Sequence, residues 1–150
     1  MKTDLHAEAL RQLFLHAPIS KSYSGIDLHY QDAVARVTWP IDSAFLHGGN
    51  ALHGSAIMRL LDDAAYFTAA LYSPEFFIVT VRLDVRFHLP ATSGLLHAIG
   101  EWKGNDRLGF NAGAALYDEQ NRKVASAKGV FSMTQQRWEQ FAQYQCALRR

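Results

Sequence analysis

The feature that most constrains the fold is a helical stretch with almost no polar side. Residues 54–72 carry three charges, Arg59, Asp62 and Asp63. Ile57, Leu60, Leu61, Ala64, Phe67 and Leu71 recur at helical spacing and form one apolar stripe. The opposite side is apolar or small as well, with Met58, Ala65, Tyr66 and Ala69. A helix of this kind has to be covered on most sides. On a helical wheel Asp62 points nearly opposite the stripe centre, beside Met58, Ala65 and Tyr66. That face also needs a cover, and a ligand or a partner subunit are the two candidates.

The cover is written on either side of this helix. Val79, Val81, Leu83, Val85, Phe87 and Leu89 alternate with Thr80, Arg82, Asp84, Arg86 and His88, which predicts a strand over 77–89 stopped by Pro90. Further strands are predicted over 95–103, 108–117 and 123–133. Gly104-Asn105-Asp106 and Asp118-Glu119-Gln120-Asn121 supply the turns. Residues 22–39 fit two short strands with a turn near Gln31-Asp32. Residues 42–53 read as a loop with Gly48-Gly49-Asn50 at its middle. Leu5, Ala9 and Leu13 predict an N-terminal helix over 4–16, with Leu10 and Phe14 alongside. A C-terminal helix over about 135–149 would carry Trp138, Phe141, Ala142 and Leu148. The order is α-β-β-α-β-β-β-β-α over a single domain, 1–150. Strands joined by tight turns pair antiparallel, so the fold class is α+β, an antiparallel sheet wrapped around a long central helix.

Composition removes several function classes. Fifteen Lys and Arg balance fourteen Asp and Glu, the net charge is +1, and the basic residues are scattered, so no nucleic-acid partner is expected. No apolar run approaches the ~20 residues of a membrane span, and the N-terminus has no signal-peptide core. The single cysteine, Cys146, allows neither an internal disulfide nor a cysteine-rich metal site. A cytoplasmic protein without cofactor or metal is the expectation.

The chemistry concentrates in His47-Gly-Gly-Asn50-Ala-Leu-His53-Gly54-Ser55 and the following Asp62-Asp63. A glycine opening a helix lets a ligand approach the free N–H groups of the first turn, which carry partial positive charge. Such a site can hold the oxygen of a polarised carbonyl. Asp62 lies eight residues on, about 12 Å along the axis at ~1.5 Å per residue. That is too far for both groups to act on one carbonyl within one subunit. A site between two subunits resolves the distance.

These residues resemble the phenylacetic-acid-pathway (PaaI-like) branch of the hotdog thioesterase superfamily. Its pattern is Asn-x-x-Gly-x-x-His-Gly-Gly with an Asp nine residues after the His. Here His53-Gly54-Ser55 takes the His-Gly-Gly place and Asp62 the catalytic position. The resemblance covers roughly 20–133. It implies a hotdog fold, at least a homodimer joined edge to edge by its sheets, a homotetramer beyond that, and hydrolysis of an acyl-CoA thioester. It also implies residue roles: the Gly54 N–H binds the thioester oxygen, Asp62 acts as general base or nucleophile, and Thr80 helps place the water. Met58, Tyr66 and Phe77 are candidates for the acyl pocket, with Asn50 and Ser55 beside the thioester. Arg86 and Arg107 are assigned to the CoA phosphates from charge and position.

Three positions depart from that pattern. His47 stands where the family has Asn, Ser55 replaces the second Gly, and Asp63 adjoins Asp62. Bland readings stand beside the catalytic ones: Asp62 as a structural carboxylate paired with Arg59 or Arg82, and His53 as a loop anchor. Two other functions also stay open. One is a hotdog dehydratase or hydratase, which would pair His47 with a carboxylate. The other is a non-catalytic acyl-CoA-binding protein.

Overall fold

The computed structural model describes residues 2–150. Helix α1 (Lys2–His16) leads through a 3-10 turn (Pro18–Ser22) into strands β1 (Asp27–Gln31) and β2 (Val34–Pro40). A 3-10 turn at Ser43–Phe45 and a loop precede the central helix α2 (Gly54–Ala70). Strands β3 (Phe76–Phe87), β4 (Leu95–Asp106), β5 (Gly109–Tyr117) and β6 (Lys123–Arg137) follow, and α3 (Ala142–Leu148) closes the chain. The six strands form one antiparallel sheet in the order β1-β2-β4-β5-β6-β3. The fold class is the expected α+β hotdog arrangement, with α2 lying against β2, β4, β5, β6 and β3.

The helix can sit this close because small residues meet at the contact. Ten α2 residues are buried, including Ala56, Ala64, Ala65, Ala69 and Ala70. A Cβ built on Gly100 of β4 would collide with Thr68 Oγ1 and the Ala64 carbonyl of α2, so only glycine fits there. Thr68 Oγ1 donates to Ala64 O at 2.8 Å and accepts from the Ala35 N–H of β2 at 2.9 Å. One buried hydroxyl thus ties helix to sheet and satisfies a strand N–H.

The structure corrects two element boundaries. Gly104-Asn105-Asp106 is not the turn. Gly104 has φ +93° and sits where the β4–β5 register slips, so it forms a bulge, and the turn falls at Arg107-Leu108. The C-terminal helix does not begin near 135. Strand β6 continues to Arg137 because β3 offers partners down to Phe76, and Thr134 Oγ1 donates to Phe77 O at 2.8 Å. A 3-10 turn (Trp138–Gln140) then leads to a helix of seven residues.

Strand β3 is an edge strand, and its far side has no strand partner among the described residues. Its alternation therefore does not translate into burial. Ile78 is buried, whereas Val81 is 61% and Phe87 53% exposed. A long edge with exposed apolar side chains invites another strand.

The two chain ends are fastened to each other. In α1 the buried stripe runs through His6, Ala9, Leu10 and Phe14, and Leu5 faces out. His6 Nε2 lies 2.9 Å from the Ala70 carbonyl at the end of α2, and Nδ1 lies 2.7 Å from the Tyr144 hydroxyl of α3. A carbonyl only accepts, so Nε2 carries the proton and Nδ1 accepts from Tyr144. Burial pushes the His6 pKa below its usual 6.5, partly opposed by the bond to Ala70. The unfolded chain therefore binds more protons than the folded one as pH falls below 6.5, and stability drops in that window. Urea unfolding at a series of pH values should show this slope in the wild type and a shallower one in His6→Phe. Equal slopes would remove His6 as the cause.

Candidate functional site

The loop before α2 folds back on itself. His47 N–H donates to Ala51 O at 2.8 Å, Asn50 N–H to His47 O at 2.9 Å, and Leu46 bridges Leu52. His47 Nδ1 accepts from the Gly49 N–H at 2.9 Å, so this ring braces the loop. Asn50 has φ +63°. It occupies the glycine position of the Asn-x-x-Gly pattern, and asparagine is among the few residues that tolerate this left-handed backbone. His53 caps α2, with Nδ1 accepting from Ser55 N–H at 3.1 Å and lying 2.7 Å from Ser55 Oγ. His53 and Ser55 are thereby occupied with the helix start.

Gly54 is the first residue of α2 and lines a cavity of about 430 Å³ with His47, Leu52, Ile57, Phe87 and His88. A Cβ built there finds nothing closer than Phe87 Cζ at 3.4 Å, an ordinary contact. The chain's own packing therefore does not demand glycine. The space above it is open to a ligand.

Asp62 lies more than two turns further along α2 and lines a different cavity, of about 360 Å³. Thr80 Oγ1 of β3 donates to Asp62 Oδ1 at 3.0 Å. Burial raises the Asp62 pKa above the ordinary 3.8, and the Thr80 bond partly opposes this by favouring the ionised form. Arg59 and Arg82, the partners considered for a structural Asp62, are engaged elsewhere. Arg59 Nε donates to Asp63 Oδ2 at 2.8 Å, and Arg82 pairs with Asp84 at 3.1 Å. Arg59 also donates to Ser20 Oγ at 2.9 Å and stacks over the Tyr23 ring at 4.3 Å.

The adjacent aspartates thus differ in kind. Burial pushes Asp63 up to about 6 against the pull of Arg59, and Asp63 is locked in an ion pair. Asp62 keeps one carboxylate oxygen clear of Thr80 and faces a cavity. The i,i+4 spacing of Arg59 and Asp63 was a readable signal for that pair. Its stacking on Tyr23 was not, because those residues meet only in three dimensions.

The remaining candidates are dispersed. Tyr66 and Phe77 line the Asp62 cavity, and the Tyr66 hydroxyl donates to Ile78 O at 2.7 Å. Tyr66 is therefore wall rather than acid. Met58 is exposed and lines neither cavity. Arg86 lies in a groove on the sheet with Lys103 and Lys128, and Arg107 is exposed at the β4–β5 turn, so neither adjoins Gly54 or Asp62 within one protomer. Among the described residues no group of three His, Cys, Asp or Glu could hold a metal ion. No helix among them is long and apolar enough to cross a membrane.

Known proteins share this architecture. The Escherichia coli PaaI protein from the phenylacetic acid degradation operon superposes with a TM-score of 0.80 at 17% identity, over 91% of this chain and 99% of that one. The Haemophilus influenzae thioesterase HI1161 gives 0.73 at 18%, over 85% and 90%. A mutant of the Pseudomonas aeruginosa thioesterase PA1618 gives 0.74 at 16%, over 83% and 91%. At such identities the likeness establishes the fold. The chain matches no curated protein by sequence. Its residues 49–125, which contain the capped glycine, both aspartates and Thr80, match the family model described as thioesterase superfamily. The chain therefore belongs to the thioesterase superfamily.

Proposed function

We propose that the protein hydrolyses an acyl- or aryl-CoA thioester to free acid and CoA, at a site that two protomers share. The observation that carries this reading is Asp62. It is a half-buried carboxylate of raised proton affinity, held by one hydroxyl and facing an apolar cavity. A carboxylate so placed can take a proton from water attacking the thioester carbonyl, or attack that carbon itself. Either route needs the ionised form. The negative charge that develops on the carbonyl oxygen would be met by the Gly54 N–H at the start of α2. Collapse breaks the C–S bond, and CoA leaves as the thiolate; where Asp62 itself attacks, water then cleaves the acyl-aspartyl anhydride to the free acid and restores the carboxylate.

Gly54 and Asp62 line different cavities of one protomer, so the reading requires a second copy. Strand β3 supports one. Its Thr80 touches Asp62, and its Phe87 lies beside Gly54. If two β3 edges pair antiparallel about a two-fold axis near Leu83 and Asp84, Thr80 of one chain comes opposite Phe87 of the partner subunit. The Asp62 of each chain then faces Gly54 of the partner subunit.

Three outcomes test this. Wild type should release thiol from acyl-CoAs, and Asp62→Asn should be slower by at least ~10²-fold. A wild type inactive on every thioester would leave an acyl-CoA-binding protein. Formation of an enoyl product without thiol would mark a dehydratase.

The pH profile of kcat/KM should rise along a limb lying above the ordinary carboxylate range. In Thr80→Val the limb should move to higher pH, because the lost hydroxyl had favoured the ionised Asp62. An unmoved limb would separate Thr80 from the titrating group.

Asp62→Asn and Gly54→Val proteins, each inactive alone, should recover about a quarter of wild-type activity when co-expressed, since half the dimers are mixed and each holds one intact site. A mixture as inactive as its parents would place both groups in one chain's site.

A further inference from the structure

We infer that the two ends of the chain, rather than the family core, set the size of the acyl group, by forming the floor of the cavity that Asp62 faces. This rests on the proposed hydrolysis for its substrate class, an apolar acyl thioester. The residues at the reacting end, Asp62, Tyr66 and Thr80, fall within the matched family region, 49–125. So do Arg59, Asp63, Phe67, Phe77, Ile78 and Val79, but the side of the wall contributed by the terminal segments does not. Leu13, Phe14 and Ala17 come from α1 and the residue after it, and Trp138 and Phe141 come from the segment between β6 and α3. Together with Phe67 and Phe77 of the core they leave little but hydrocarbon for the acyl group to meet.

This floor is fastened rather than loose. Trp138 Nε1 donates to Ser73 O at 2.6 Å, and the Trp138 ring is packed against Phe77 at 5.3 Å between centroids. His6 bonds both Tyr144 and Ala70 O, which ties α1 to α3 and to the end of α2. Arg11 donates to Leu28 O at 2.8 Å and to Asp27 at 3.0 Å, which holds α1 on β1. Ser20 receives Arg59, so the 3-10 turn after α1 is fixed to α2 one turn from Asp62. A floor anchored at these points acts as a ruler for chain length. A cavity of about 360 Å³ has room for about twelve non-hydrogen atoms at ~30 Å³ each, roughly ten of them chain carbons once the sulfur and a water beside Asp62 are allowed for.

Two positions allow the ruler to be moved without removing an anchor. Phe141 is half-buried and makes no side-chain hydrogen bond, so Phe141→Ala deepens the cavity. Ala17 is small and half-buried, so Ala17→Phe shortens it. The probe is a series of saturated alkyl-CoA thioethers, which cannot be hydrolysed, with binding read by calorimetry on the full-length protein. For wild type, affinity should rise about fourfold per methylene and level off near ten carbons. The ratio of dodecyl to butyl affinity should rise at least tenfold in Phe141→Ala, and that of decyl to butyl should fall at least tenfold in Ala17→Phe. Leu13→Phe serves as a second filling variant if Ala17→Phe does not fold, as judged by circular dichroism.

Unchanged ratios in folded variants of both kinds, or an affinity that does not depend on chain length in wild type, would overturn the inference. Because the thioethers bypass chemistry, the two readings fail separately. Absent thiol release with a moving length limit removes the hydrolase and keeps the ruler. Thiol release with a fixed limit does the reverse.

Discussion

Everything in this molecule depends on how closely α2 lies on its sheet, and that closeness comes down to one hydroxyl and one missing side chain. Thr68 satisfies its own helix and the Ala35 N–H of β2, and Gly100 leaves the volume that a Cβ would take from them. A single added methyl would collide with both the hydroxyl and a backbone carbonyl, neither of which can yield without breaking the helix-to-sheet tie. With the alanine-rich side of α2 pressed into the sheet, its three charged residues are driven to the remaining side. Charge there is costly unless it is paired, and the chain resolves the matter differently for each residue.

Arg59 and Asp63 neutralise each other. Their bond lies under Tyr23 and Ser20, and Arg59 Nη1 is buried without a partner. Deleting either member would strand a buried charge, which typically costs about 3–5 kcal/mol. That arrangement spends the nearest cation on Asp63 and leaves Asp62 with none. Asp62 therefore keeps one oxygen unengaged, and burial raises its proton affinity above that of an ordinary carboxylate. Asp63, which had no role in the sequence reading, is the carboxylate that occupies Arg59.

The legible part of the structure was the part carried by local pattern. The polar-poor α2 announced itself through spacing, and the strands through alternation, so their order and the α+β class could be read directly. The errors came where pairing across the sheet overrode local chemistry. Gly104-Asn105-Asp106 has turn composition but was drawn into β4 as a bulge, and the polar run Thr134 to Arg137 was held extended by β3. Alternation in β3 was read correctly as a strand but said nothing of burial, because a strand's place at the edge is a property of the whole sheet. In the site, the separation of Gly54 from Asp62 followed from helix geometry, whereas His53, read as a loop anchor, proved to cap α2. The convergence of residues 13–17 with 138–141 over Asp62 had no signature in either segment, since each looks like the apolar side of a terminal helix.

The same edge strand links the two features that a lone protomer leaves unfinished. Strand β3 has an unpaired side with exposed apolar residues, and it runs from Thr80 at Asp62 to Phe87 at Gly54. The separation of these two ends along a strand, about 23 Å at ~3.3 Å per residue, is no obstacle to a shared site. A two-fold axis through the middle of the strand carries each end onto the other. The pairing that would cover the edge is therefore the pairing that would bring carboxylate and helix start together. On this reading association and catalysis are one geometric event. A slip of the β3–β3 pairing would carry Thr80 of one chain away from Phe87 of the partner subunit, and would abolish the site even if a dimer still formed.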